Sequence, residues 1–204
     1  MKIVVLTQRI IRTKNSLRDA TDKDLINYLL RLNCLSYPIP NSFVKSKKKL
    51  NVWLSKINFN GLVLSGGNDL GEYPERDNLE KYLIGYCVEK SIPILGICRG
   101  SQILAKYFGN KIYKIKGHVW KHNLDLSEEI LVNKHVNSFH NYGIKKLNKD
   151  FKILARCSND KTIEAFKHKT KKIFGIMWHP ERFKKKRKDQ DKLIKKFLFD
   201  KLWI

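Results

Sequence analysis

Pro93-Ile94-Leu95-Gly96-Ile97-Cys98-Arg99-Gly100-Ser101-Gln102 carries the strongest structural signal in the chain. Its apolar, partly β-branched opening reads as a buried strand. Past Gly100, residues 101–108 carry apolar side chains at helical spacing. Strand, sharp turn and helix, with one cysteine between two near glycines, make the G-x-C-x-G form of a nucleophile elbow. The turn forces Cys98 into a strained backbone conformation that lifts its sulfur clear of the sheet edge. A side chain at Gly96 or Gly100 would crowd the neighbouring strand and helix. The helix N-terminus behind the cysteine offers free N–H groups and a positive dipole end, which favour an anion there. A plainer reading packs Cys98 at a strand end, and the short pattern alone leaves both open.

Upstream, strand and helix patterns alternate. Lys2–Thr7 reads as a first buried strand, with Gln8 and Arg9 at its C-terminal end, where open α/β sheets place ligands. Residues 19–32 carry Leu25, Tyr28, Leu29 and Leu32 on one stripe and predict an amphipathic helix. Residues 34–40 predict a short strand cut off by Pro38 and Pro40, and residues 47–57 a second helix. Residues 61–69 predict a buried strand running into a glycine turn, and residues 75–90 a third helix. This alternation argues for a mostly parallel sheet with helices on both faces. Downstream of residue 108 the texture changes. Short strand-like runs at 111–115, 129–133, 151–155, 162–166 and 173–177 lack helical stripes between them and predict antiparallel pieces. A last helix is expected over 188–202, with Leu193, Ile194, Phe197 and Leu198 inward.

The chain has 204 residues, 42% of them hydrophobic, and reads as one domain spanning 1–204. No apolar run approaches the roughly 20 residues that cross a bilayer. The N-terminus enters a strand at once, so no signal peptide is expected. Cys34, Cys87, Cys98 and Cys157 form no C-x-x-C pair, which argues against a disulfide framework or a zinc site and for a cytoplasmic location. The net charge of +23 is unusual. It invites a nucleic-acid reading, yet the lysines are spread over the chain and no nucleic-acid-binding motif accompanies them. Most read as solvated faces, with a field that suits a phosphate-bearing small molecule.

A thiol needs a base or a lowered pKa to act as a nucleophile at neutral pH. Of six histidines, His179 in Ile176-Met177-Trp178-His179-Pro180-Glu181 is best placed, at a strand-to-loop transition. Glu181 can orient its other nitrogen, completing a Cys–His–Glu relay. Oxyanion donors are expected from the backbone N–H of Arg99 and from the Ser65-Gly66-Gly67 turn. His118 and His122 flank Trp120 in what reads as a polar loop near the site. His135 and His168 read as surface residues, and Cys34, Cys87 and Cys157 as core. Arg9, Arg99 and Arg182 are candidates for a substrate phosphate or carboxylate.

Four motifs in order, Ser65-Gly66-Gly67, Gly96-Ile97-Cys98-Arg99-Gly100-Ser101-Gln102, Val136-Asn137-Ser138-Phe139-His140 and Trp178-His179-Pro180-Glu181, resemble the class I glutamine amidotransferase superfamily. The resemblance runs over nearly the whole chain. It implies a three-layer α/β/α, flavodoxin-like fold whose mostly parallel central sheet gains antiparallel strands in the C-terminal half. It also implies Cys98, His179 and Glu181 as triad, and Gly67 and Arg99 as backbone oxyanion donors. Gln102, Asn137, Ser138, Phe139 and His140 would lie around the γ-glutamyl group, and no metal or cofactor is implied. Arg99 and the V-N-S-x-H stretch look like the free-standing γ-glutamyl hydrolase branch. The short chain and the I-M-W-H-P-E-R ending resemble the γ-glutamyl-CDP-amidate hydrolases of capsule phosphoramidate synthesis. The expected reaction is hydrolysis of a γ-glutamyl amide through a γ-glutamyl thioester to glutamate.

Other readings stay open at this point. A γ-glutamyl-γ-aminobutyrate-type hydrolase is one, although residues 65–70 depart from that group's longer proline-bearing loop. A glutaminase subunit feeding ammonia to a synthetase is another. From a different class comes a basic nucleic-acid-binding protein on an inactive scaffold. The expected partner is a small γ-glutamyl substrate, nucleotide-bearing in the sharpest version, with neither membrane nor nucleic acid, for a monomer or homodimer.

Overall fold

In the computed structural model, which describes residues 1–199, the first strand β1 (Lys2–Thr7) sends Val4 and Leu6 into one hydrophobic cluster and Val5 into another. A strand whose successive side chains are all buried must be covered on both faces. Further elements follow in the first half. They are β2 (Arg9–Arg12), β3 (Leu17–Ala20), α1 (Lys23–Arg31), β4 (Cys34–Ile39), α2 (Lys47–Lys56), β5 (Gly61–Leu64), α3 (Pro74–Glu89), β6 (Ile94–Ile97) and α4 (Arg99–Tyr107). The second half contains β7 (Tyr113–Lys114), β8 (Val119–Leu126), β9 (His135–Phe139), β10 (Tyr142–Gly143), β11 (Phe151–Cys157), β12 (Ile163–His168), β13 (Ile173–Ile176) and α5 (Lys188–Phe199). One nine-stranded sheet runs β4-β1-β5-β6-β13-β12-β11-β8-β9. β4, β1, β5, β6 and β13 are parallel, and the strands from β12 outward are antiparallel. Leu25 and Leu29 of α1 and Ile194 and Phe197 of α5 cover one face; Leu50 of α2, Leu83 of α3 and Leu104 of α4 cover the other. The result is the expected three-layer α/β/α arrangement.

The elbow sits where β6 meets α4, between β5 and β13 at the carboxyl end of the parallel strands. Cys98 has φ 52° and ψ −110°, and its N–H donates to the Ile176 carbonyl at 2.8 Å. The helix that follows lies so close that a Cβ on Gly96 would meet the Gly100 carbonyl at 2.6 Å. One on Gly100 would meet the Leu64 carbonyl oxygen at 2.0 Å. Both contacts are impossible for real atoms, so glycine at these positions is what allows α4 to dock. At the other end of the site, the buried Trp178 indole donates to Gln190 Oε1 of α5 at 2.9 Å. That bond ties the strand end carrying His179 to the last helix.

Several expected elements differ. The helix expected over 19–32 starts at Lys23, because Asp22 caps it by accepting from Asp24 N–H at 3.1 Å. Asp19 belongs to a β2–β3 hairpin that the sequence reading missed, and its carboxylate accepts from Asn41. The run at 129–133 is not a strand. The strands here are β8 and β9, and β8 includes the polar stretch read as a loop. β8 lies near the sheet's end, with one face solvated, so its residues are mostly polar although it pairs with β9 from Val119 to Asn123. α5 is described to Phe199, and the rest of the helix expected to 202 lies outside the described residues.

In an unobstructed helix Gly→Ala is stabilising by roughly 0.5–1 kcal/mol. At Gly100 the overlap with Leu64 reverses the sign. Gly100→Ala is expected to lower stability by about 3 kcal/mol, and the melting temperature by roughly 10 °C. Wild-type-like melting in a thermal scan would show that α4 does not need this contact.

Candidate active site

Met177 and Trp178 follow β13 and lead to His179, just before Pro180 turns the chain into a short 3-10 turn. The backbone of His179 is held from both sides by one side chain. Its N–H donates to Asn137 Oδ1, and its carbonyl accepts from Asn137 Nδ2, each at 2.8 Å. On the ring, Nδ1 lies 2.6 Å from Glu181 Oε1, and the edge of Phe139 packs 5.8 Å from it between centroids. A Cβ on Gly66 would lie 2.9 Å from His179 Cε1, 3.8 Å from its Nε2 and 3.6 Å from the Cβ of Cys98. The free edge of the imidazole and the cysteine therefore converge over Gly66, where only a hydrogen fits. Burial pulls the His179 pKa down, but the charges of Glu181 and Cys98 outweigh it and lift the value to about 9. The shift favours the charged imidazole, which faces Cys98 on one side and Glu181 on the other.

The opposite wall is the Ser65-Gly66-Gly67 turn, with Gly67 at φ 82°. Its carbonyls are gathered by one fully buried guanidinium. Arg76 of α3 donates to the carbonyls of Ser65, Gly66 and Gly67 at 2.9, 3.1 and 3.0 Å. In a trans peptide the N–H points opposite to the C=O. Pinning the Gly66 carbonyl on Arg76 therefore turns the Gly67 N–H away from it. Gly67, Cys98, Arg99 and Phe139 line one cavity of about 340 Å³. Arg76 also pairs with Glu80 at 3.1 Å, and Glu80 with Asp77 holds the Arg99 side chain. Burial lowers the Arg76 pKa to about 10, which leaves it charged at neutral pH. Burial pushes Glu80 up, but Arg76 and Arg99 outweigh it and hold it below the usual carboxylate range. Arg76 and Glu80 were missed in the sequence reading; nothing in a helical E-R-x-x-x-E spacing distinguishes them from a surface pair.

The remaining candidates divide. Arg99 was expected to offer its guanidinium to a substrate anion; it is instead buried in the carboxylates of Asp77 and Glu80, so only its backbone is available. Asn137 was expected to touch substrate, but both ends of its amide are spent on His179. Ser138 is fully buried, with its hydroxyl donating to the His118 carbonyl at 2.7 Å. Gln102 lines the cavity while its amide donates to the Tyr142 carbonyl at 2.9 Å. Phe139 and His140 also line it. Arg9 and Arg182 stand at the rim, both paired with Asp22. His118 and His122 are buried beside Glu164 rather than standing in an open loop. His168, expected at the surface, is buried against Phe108 and Phe151, and its Nδ1 accepts from Thr170 N–H at 3.1 Å.

Residues 17–201 match the family model for glutamine amidotransferase class-I. The chain belongs to the class-I glutamine amidotransferases. Among its relatives in this family is the gamma-glutamyl-CDP-amidate hydrolase of Campylobacter jejuni, 43% identical over 79% of this chain and 76% of that protein. The glutamine-hydrolyzing GMP synthase subunit of Pyrococcus abyssi is 36% identical over 63% of this chain and 69% of that one. Among solved structures, a glutamine amidotransferase from Thermotoga maritima superposes with a TM-score of 0.66 at 20% identity, covering 97% of this chain and 83% of that one. A Thermoplasma acidophilum protein reaches 0.71 at 22%, covering 97% and 93%. At these identities the structural matches speak for the amidotransferase fold alone.

The raised His179 pKa gives a direct expectation. In NMR spectra of the ¹⁵N-labelled imidazole, His179 should be doubly protonated at pH 7 and lose its proton near pH 9. In Glu181→Gln the lost carboxylate charge should move that midpoint down. A neutral His179 ring at pH 7 in the unsubstituted chain would contradict the electrostatics described.

Proposed function

We propose that this class-I amidotransferase is a free-standing hydrolase of γ-glutamyl amides, acting on a γ-glutamyl nucleoside-diphosphate amidate of the γ-glutamyl-CDP-amidate type. The observation that carries the reaction class is the convergence of Cys98 and the Glu181-paired His179 ring over Gly66. The Cys98 thiolate attacks the γ-carbonyl carbon, and the carbonyl π electrons move onto oxygen. The oxyanion lies between the N–H groups of Gly67 and Arg99. The tetrahedral intermediate collapses, the C–N bond breaks, and His179 gives its proton to the departing nitrogen. Water, losing a proton to the now neutral His179, then adds to the γ-glutamyl thioester. Collapse releases glutamate and returns the thiolate beside the imidazolium. Glu181 holds the ring and steadies its positive charge; Asn137 and Arg76 position the base and the turn without touching the reacting atoms.

A second cavity supports the nucleotide-bearing leaving group. It holds about 470 Å³ on the far side of Phe139 and is lined by Trp120, Lys121, Arg182, Lys184 and Arg187. Trp120 is 74% exposed and stands edge-on to Phe139, while the Arg182 guanidinium lies 5.2 Å from the Phe139 ring centre. Exposed aromatic faces suit a base, and four cations suit a diphosphate. γ-Aminobutyrate would use neither.

The glutaminase-subunit reading is favoured by the Pyrococcus abyssi relative. Purified protein separates the two. It should release glutamate from γ-glutamyl-CDP-amidate with a kcat/KM at least about a hundredfold above that for glutamine. Trp120→Ala and Arg182→Ala should each cut the nucleotide reaction by roughly tenfold, the worth of one stacked base or one phosphate contact, and leave slow glutamine hydrolysis within about twofold. Equal use of both substrates, or glutamine turnover that appears only with a synthetase partner, would favour the glutaminase reading.

A further inference from the structure

Glu164 of β12 is fully buried, and neither carboxylate oxygen has a hydrogen-bond partner among the described residues. Three buried imidazoles face it. His118 Nδ1 lies 3.4 Å from Oε1, His122 Nε2 3.1 Å from Oε2, and His140 Nε2 3.7 Å from Oε1. None of the three contacts meets the distance and angle of a hydrogen bond, and these ring nitrogens have no other hydrogen-bond partner among the described residues.

The far nitrogen fixes the proton in two of the rings. His140 Nδ1 lies 3.0 Å from the Tyr142 carbonyl oxygen, which can only accept, so Nδ1 carries the hydrogen and a neutral ring leaves Nε2 bare. His118 Nε2 lies 3.0 Å from Asp160 Oδ2, so Nε2 carries the hydrogen, and in the neutral ring Nδ1 is bare. Nitrogen lone pairs turned on carboxylate lone pairs repel one another. A buried carboxylate without donors is also costly, by several kcal/mol in order of magnitude. Positive charge between these atoms would remove both costs. A histidine whose outer N–H is held by a carboxylate or a carbonyl, with the inner nitrogen free, is in the posture of a metal ligand. Cys157 of β11 adds a fifth donor. One ligand atom from each of His118, His140 and Glu164 lies within 4.8 Å of the other two, and the same holds for His118, His122 and Cys157.

We propose that His118, His140 and Glu164 hold a divalent transition metal, zinc by the chemistry of the donors, with His122 against the same carboxylate. Two imidazoles and a carboxylate in a buried pocket suit Zn²⁺. The ion would tie β8 and the end of β9 to β12. This region borders the reactive cavity. Phe139, next to His140, lines it, and the Glu164 carbonyl accepts the Met177 N–H, two residues before His179, at 2.8 Å. The metal takes no part in the reaction; it braces the wall against which the γ-glutamyl group would lie. The rival occupant is protons, with doubly protonated rings facing Glu164.

The test uses the full chain carrying Cys98→Ser, so that the elbow thiol cannot hold the ion, isolated without chelator or metal-affinity tag. Mass-spectrometric metal analysis should find about one zinc per chain. Stripping with dipicolinate should lower the melting temperature by roughly 5 °C or more, reversed by Zn²⁺ and not by Mg²⁺. Co²⁺ added to the stripped protein should give the visible absorption of a tetrahedral site. Glu164→Gln and His140→Ala should each reduce bound zinc to below about a tenth of the parent's. Stripping and refilling the parent needs no substitution at the site, so a variant that fails to fold does not decide the question. A chain that carries no zinc, takes up neither Zn²⁺ nor Co²⁺ and melts unchanged overturns the proposal. So does zinc retained in folded Glu164→Gln.

Discussion

The peptide of Gly100 lies against the carbonyl of Leu64 at a distance that excludes any side chain. That contact fixes where α4 begins, and so fixes the backbone of Cys98, which has no room to relax from φ 52°. A strained residue persists only where its surroundings over-determine it. Here they do so on three sides: β5 beneath the helix, the Ile176 carbonyl on the Cys98 N–H, and Gly96 beneath Gly100. The geometry is thus a property of three adjacent parallel strands, β5, β6 and β13, rather than of one turn. The same strands end in the other parts of the site. β5 runs into the Ser65-Gly66-Gly67 turn and β13 leads to His179, so one close-packed sheet end sets the mutual positions of Cys98, His179 and the Gly66-Gly67 turn.

Buried charge does the finer positioning. Arg76, Glu80, Arg99 and Asp77 form a network beneath the cavity that gathers three consecutive carbonyls on one side and immobilises the residue after the nucleophile on the other. Buried ion pairs of this kind add little net stability, because desolvation offsets their attraction. Their effect lies in geometry: the Ser65–Gly67 turn and the Arg99 side of the cavity are oriented by one shared set of charges. His179 is treated alike, with Asn137 fixing its backbone and Glu181 its ring. The reactive groups need not reorganise when charge develops between them.

The elbow turn, the position of His179 at a strand end and the alternation of the parallel half were legible in the sequence because each is written in local patterns: glycines two residues from a cysteine, apolar runs of strand length, histidine before proline. The antiparallel half was less so. β8 alternates polar residues with a few buried ones and reads as a loop until its pairing with β9 is known. The roles of Asn137 and Arg99 also hid. An asparagine and an arginine in motifs around a reactive cysteine suggest substrate contacts, and only tertiary partners 42 and about 20 residues away reveal that both are spent on the scaffold. The cluster around Glu164 hid for the same reason: His118 and His122 stand four residues apart, but His140 and Glu164 join them only in the folded chain.

Every step of the proposed reaction passes through Cys98 carrying the γ-glutamyl group. Acid quenching within the first turnovers, followed by peptide mapping by mass spectrometry, reads this without reference to overall rate. A γ-glutamyl adduct on the peptide containing Cys98, labile to hydroxylamine and absent from Cys98→Ala, is the predicted result. Glutamate release by folded Cys98→Ala, or an adduct on another residue, would contradict it.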